Sequence, residues 1–137
     1  KGPTPRWREQ YSKQAKSFVN VGQPANDTSW KIPVGMSFEI VPLSDPRAIV
    51  KGDIAQFLVL RDGRPVANFP VGSVGAARKS ARLDRTDANG IVRIPATIVG
   101  RWMLRATDLR RPPAGTDADW ESVFTTLSLN VVARRGL

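Results

Sequence analysis

The run Ile54-Ala55-Gln56-Phe57-Leu58-Val59-Leu60-Arg61-Asp62-Gly63 is apolar from 54 to 60 except at Gln56, and it stops at a pair suited to a tight turn. It reads as a strand in the middle of a sandwich sheet, with Asp62-Gly63 as a hairpin turn and Val66 to Val74, interrupted by Pro70, as the returning partner. Upstream, Phe38 and Ile40 alternate with Ser37 and Glu39 in a strand that ends at Pro42. Downstream, a basic stretch from Arg78 to Arg85 leads into Thr86-Asp87-Ala88-Asn89-Gly90, where Asn-Gly supplies the positive backbone dihedrals of a tight turn. Val92 and Ile94 then alternate with Arg93. After Gly100, Trp102, Leu104 and Ala106 face one way while Arg101, Met103 and Arg105 face the other. Beyond the loop from Pro112 to Thr116, Val123, Leu127, Leu129 and Val131 share one side of a last strand. Short strands with turn signals about every eight to twelve residues indicate an all-β antiparallel sandwich of about seven strands.

Residues 1–33 differ in texture and read as a lead-in to a sandwich domain over 34–137. Thr4 before Pro5 suits a helix start, and Trp7, Tyr11, Ala15 and Phe18 recur at helical spacing, so a short helix is expected near 5–15, its apolar stripe docked on the body. Ser17 to Val21 turns β-like, and Gly22, Pro24, Asn26, Asp27 and Ser29 read as loop. Asn26-Asp27-Thr28 matches a glycosylation sequon, a tripeptide that chance supplies often.

The 137 residues carry 21 Lys plus Arg against 12 Asp plus Glu, a net charge of +9, with neither histidine nor cysteine. That composition removes the imidazole base, the thiolate nucleophile and the nitrogen and sulfur ligands of zinc, nickel and copper sites. No apolar run approaches the roughly 18 residues of a membrane-spanning helix. The cations are spread over nearly every segment, without a recognition helix or a base-stacking aromatic set, so any nucleic-acid binding is expected to be non-specific. The opening Lys1-Gly2-Pro3 is expected to belong to a fragment or a mature form.

Few residues could carry chemistry. The stretch from Gly72 to Ser80 evokes a phosphate loop, but Ala77 stands where its second glycine belongs. Asp87, Asn89 and Gly90 look like the middle of a calcium loop, yet Arg85 takes a ligand position, and a turn is the better reading. Asp117, Asp119 and Glu121, spaced by two, could converge on a hard cation if the segment is extended, or serve as the carboxylates of a hydrolase. The plainer reading has them offset positive charge near Arg110 and Arg111.

Six segments in fixed order resemble a known family: Ser37-Phe38-Glu39-Ile40-Val41-Pro42, Gly52-Asp53, Asp62-Gly63-Arg64-Pro65-Val66-Ala67, Thr86-Asp87-Ala88-Asn89-Gly90, Gly100-Arg101-Trp102-Met103-Leu104-Arg105-Ala106-Thr107 and Asp119-Trp120-Glu121-Ser122. Over about residues 7 to 132 the chain resembles a bacterial domain-of-unknown-function family whose members are often described as periplasmic components of cobalt or nickel transport. Their fold is similar to carboxypeptidase regulatory domains and transthyretin. The resemblance implies an immunoglobulin-like or transthyretin-like sandwich, a periplasmic or secreted location, and a place as the C-terminal part of a longer secreted protein. It implies no catalytic residue and no cofactor, and in such a sandwich Trp102 is a core anchor. The function expected is that of a non-catalytic accessory or binding domain, associated with nickel or cobalt uptake, whose partner is another protein domain or an envelope component. The alternative is an extracellular glycan-binding module, for which Trp7, Trp30 or Trp120 would stack on sugar rings.

Overall fold

A computed structural model describes residues 8–18, 27–76 and 81–135. Among these residues there are nine strands: β1 (Glu9–Ser17), β2 (Phe38–Pro42), β3 (Ile54–Arg61), β4 (Arg64–Pro65), β5 (Pro70–Gly75), β6 (Arg82–Arg85), β7 (Ile91–Pro95), β8 (Gly100–Arg110) and β9 (Trp120–Val131). One 3₁₀ turn spans Ser29–Lys31, and no α-helix occurs among the described residues.

The strands form two sheets. A larger one runs in the order β1-β9-β8-β5-β6, and in a smaller one β3 lies between β2 on one side and β4 with β7 on the other. The two-residue period explains the layering, because successive side chains point to opposite faces. Trp102, Leu104 and Ala106 of β8 and Val123, Leu127 and Val131 of β9 face inward against Phe38, Ile40, Phe57, Val59, Val92 and Ile94 of the smaller sheet. Trp102 is 3% exposed, and its indole N–H donates to the Ile98 carbonyl at 2.6 Å. The interior is therefore the one the alternation from Gly100 to Ala106 requires.

Four expectations need correction. The helix expected near 5–15 is the strand β1 over its described part, paired with β9 from Glu9 opposite Trp120 to Ser17 opposite Ser128. Its helical stripe offered only a few contacts, whereas the open edge of β9 satisfies backbone donors and acceptors along the whole segment, so tertiary pairing overrides local periodicity. Tyr11 consequently stands in solvent at 62% exposure rather than docking on the body. Second, the β1–β9 pair is parallel, so the sandwich is not wholly antiparallel.

Third, Val66 to Val74 does not return along β3. Asp62 and Gly63, with φ of 50° and 79°, make the expected turn, but the hairpin ends after Arg64–Pro65. The chain then crosses to the larger sheet, where β5 pairs with β8 and β6. Thr86 fastens the crossing, its hydroxyl donating to the Val66 carbonyl at 2.6 Å and accepting from the Phe69 N–H at 2.8 Å. Fourth, Glu39, expected on the polar side of its strand, is 1% exposed. Both faces of β2 are buried, because β1 and the 34–36 loop cover the outer one. Trp7, Asn26 of the sequon, and residues 5–7, 19–21 and 78–80 of the segments named above lie outside the described residues.

Candidate binding surface

The three acidic candidates do not gather as a metal-holding group: Asp117 and Asp119 both engage Arg8, and Glu121 lies within β9. Asp117 is 96% exposed in the loop before β9, 3.8 Å from the Arg8 guanidinium. The Asp119 carboxylate accepts the Arg8 backbone N–H at 2.8 Å, which ties the start of β1 to the start of β9. Glu121 stands within β9, opposite Gln10 and Arg110. Among the described residues no group of three or more His, Cys, Asp or Glu is placed to hold a metal ion. Asp87 closes its turn, accepting the Asn89 and Ile91 N–H groups at 2.8 and 3.0 Å and pairing with Arg93 at 3.0 Å. Gly90, at φ 81°, sits so close to Pro65 that a Cβ there would meet it at 2.8 Å.

Two carboxylates are deeply buried, and both are bound by structural partners. Glu39 accepts the N–H groups of Val34, Gly35 and Met36 at 2.8, 3.1 and 3.2 Å and pairs with the Lys16 ammonium, which reaches in from β1. Burial opposes its charge, but Lys16 and these N–H groups outweigh it and hold the carboxyl below its ordinary value. Asp108, 2% exposed at the end of β8, receives Arg61 in a two-pronged contact at 2.7 and 2.9 Å and Arg110 on its other side. Burial again opposes the charge and the two guanidiniums overcome it, so this carboxyl also sits below its usual range. Arg110 further donates to the Ser37 carbonyl at 2.9 Å, joining the two sheets. The sequence reading missed both clusters. Asp108 could have been found, because it continues the inward series of Trp102, Leu104 and Ala106.

Three cations not bound in this way, Lys13, Arg101 and Arg105, stand on the outward face of the larger sheet. Register builds that face in rows: Tyr11, Ser122 and Leu109; Lys13, Phe124 and Thr107; Ala15, Thr126, Arg105, Gly72 and Leu83; Ser17, Ser128, Met103 and Val74; Asn130 and Arg101. Tyr11 meets Phe124 edge-on at 6.3 Å, and the Lys13 ammonium lies 5.8 Å from the Tyr11 ring centre. Arg101 and Arg105 are exposed and form no ion pair among the described residues. The acid of these outward rows is Glu9, at one corner, where it accepts the Ser122 hydroxyl.

At the far end of β1 this face runs into a cleft of about 560 Å³ lined by Phe18, Arg47, Arg101, Ser128 and Asn130 among others. Arg47 is held there by Asp45, through contacts of 2.9 and 3.0 Å. Trp30 and Trp120 are both half-buried and lie toward opposite ends of β1, one beside Lys16 and Ser17 and the other opposite Glu9. Eight residues of extended chain put about 26 Å between those ends, so the two indoles do not form a joint platform for sugar.

The fold and these surfaces define a two-sheet β-sandwich whose buried ionic groups brace the architecture and whose open sheet face is cationic and partly apolar. By the match over residues 3–108, this chain belongs to the domain-of-unknown-function family DUF4198. The matched range ends at Asp108, so the Asp119 to Ser122 segment lies beyond it. No curated protein and no solved structure matches the chain.

Proposed function

We propose that this chain is a non-catalytic binding module of immunoglobulin-like or transthyretin-like kind, working in the periplasm or outside the cell as an accessory domain in nickel or cobalt uptake. The location and the metal association rest on the resemblance of its motifs to the family. The observation that carries the binding role is the distribution of charge. Glu39 and Asp108 are committed to backbone N–H groups, Lys16 and arginines, while Lys13, Arg101 and Arg105 project from an open sheet face. A carboxylate that serves as general acid or base must be reachable by substrate and free to exchange a proton, and these two are buried and bound by Lys16, arginines and backbone N–H groups. A flat face that mixes cations, hydroxyls and apolar side chains is suited to contact with another surface.

A chain without histidine or cysteine offers nickel only oxygen donors and backbone groups. On this reading the domain assists uptake by holding a partner, not the ion. Calorimetric titration of metal-free protein with nickel or cobalt should give a Kd no tighter than roughly 10–100 μM, as expected for carboxylates alone. A one-to-one complex of submicromolar affinity would replace the accessory role with direct metal carriage. Fractionation of the cells that make this protein tests the location, and recovery from the cytoplasm would refute it.

A further inference from the structure

We propose that the outward face of the larger sheet is the docking surface for an acidic protein domain, one that interleaves carboxylates with apolar side chains. This rests on the reading of the chain as a binding module. The face shares with protein interfaces its aromatic residues, methionine, arginines and scarcity of acids, while Lys13, Ala15 and its serines are types that interfaces deplete. Tyr11, Leu83 and Leu109 stand 62%, 70% and 56% exposed, with Phe124 and Met103 half-buried between them. Lys13, Arg101 and Arg105 are interleaved with these side chains, and Glu9 at the corner is the one acid in the outward rows. Nine residues of β1 and five strands give the face at most about 30 Å by about 19 Å, the size of one side of a small, transient interface.

Charge selects the occupant. A second copy would bring two cationic faces together with a single acid, Glu9, on each, in a chain of net charge +9, so self-association through this face is disfavoured. A sulfated polysaccharide or a polyphosphate would match the cations but leave Tyr11, Leu83 and Leu109 in water, and a single-stranded nucleic acid would cover Tyr11 alone of the three by base stacking. A bilayer surface offers no fixed partners to the hydroxyls of Thr107, Thr126 and Ser128, which lie between the apolar side chains. An acidic protein surface satisfies all three sets: carboxylates for the cations, apolar side chains for the exposed ones, and backbone or side-chain groups for the hydroxyls.

The test is photo-crosslinking of the full-length protein in the cell that makes it. A benzophenone amino acid is placed at Thr107 or Thr126 on the face, or at Arg93 of β7 on the other sheet. The face positions should capture one protein that Arg93 does not, and peptide mapping should locate the adduct on a carboxylate-rich surface. Arg105→Glu should cut its yield about tenfold, as for loss of one strong interfacial contact, and reversing the contacted carboxylate to Lys should restore it. Arg101→Glu, away from Gly72, should act in the same direction, with unchanged thermal melting showing that both variants fold. Capture of a second copy, no protein adduct from the face, or an adduct indifferent to Arg105→Glu would overturn the proposal. So would salt-resistant sedimentation with 3:1 phosphatidylcholine–phosphatidylglycerol vesicles that Arg105→Glu abolishes, which would assign the face to membrane. An adduct from Arg93 alone would overturn this face while leaving the binding-module reading intact.

Discussion

Trp102 fills the space between the sheets opposite Gly75, where an added Cβ would come within 3.2 Å of the indole. Its truncation removes the largest inward side chain of β8 and leaves a void that the rigid ladders around it cannot close. Trp102→Ala should cost about 3–5 kcal/mol, read from urea unfolding followed by circular dichroism. The buried carboxylates make a second prediction. Glu39 and Asp108 both have folded-state values below their unfolded ones. Groups of that kind contribute stability that is fully present above the unfolded pKa, near about 4, and lost as the pH falls through the folded value. Asp45 and Asp87 shift in the same direction through Arg47 and through the Ile91 N–H with Arg93, but at the surface, where solvent screens them. Urea midpoints should therefore be nearly flat from about pH 8 to about pH 5 and drop below about pH 4. Glu39→Gln should be less stable at neutral pH and show a shallower acid limb; an unchanged limb would show that Glu39 does not drive it.

At the scale of the element, β1 is held by its parallel ladder to β9 and by two inward side chains. Gln14 donates to the Ser37 hydroxyl at 3.1 Å and accepts the Phe38 N–H at 3.3 Å, and Lys16 supplies the countercharge for Glu39. Lys16→Met would leave the Glu39 charge buried beside three N–H groups but without its cation. The expected loss is about 3–5 kcal/mol, the cost of breaking a buried pair from one side. A double-mutant cycle with Glu39→Gln should show strong non-additivity, because the second change removes the charge that the first one stranded. Additive effects would mean that the two side chains are not coupled. The ladder also explains why a segment with a helical stripe became a strand. Lys16 and Gln14 meet Glu39 and Ser37 only when alternate residues point inward.

For the molecule as a whole, a net charge of +9 spread over both sheets predicts weak attraction to any polyanion. DNA of several sequences should bind the isolated chain with similar affinity at low salt and lose that affinity near physiological salt, measured by fluorescence anisotropy. Sequence-dependent binding that survives the higher salt would require a base-reading element; the open sheet face has no recognition helix, and its aromatic pair, Tyr11 and Phe124, meets edge-on, not as a stacked platform. The same titration separates general electrostatics from docking on the outward face, since Arg105→Glu alone removes only part of a charge distributed over the whole surface.

Much of the sandwich was legible in the chain because its signals are local. Alternation from Gly100 to Ala106 and the apolar run from Ile54 to Leu60 each declare a pleated strand, and Asp62-Gly63 and Asn89-Gly90 declare turns through backbone preferences carried by two residues. Trp102 could be assigned to the core for the same reason. Sheet membership is different, since it depends on which edge a strand meets, and Pro70 to Gly75 bears no mark sending it to β8 instead of β3. Glu39 looked solvent-facing because its cover comes from a strand that ends more than twenty residues earlier and from a loop folded back over it. The outward face of the larger sheet was likewise invisible, for Tyr11, Phe124, Arg105 and Leu83 come from four separate segments. Short-range patterning determined what the segments from Phe38 onward are, whereas long-range pairing made a strand of β1 and decided which segments share a face, because register is a property of two strands and not of one.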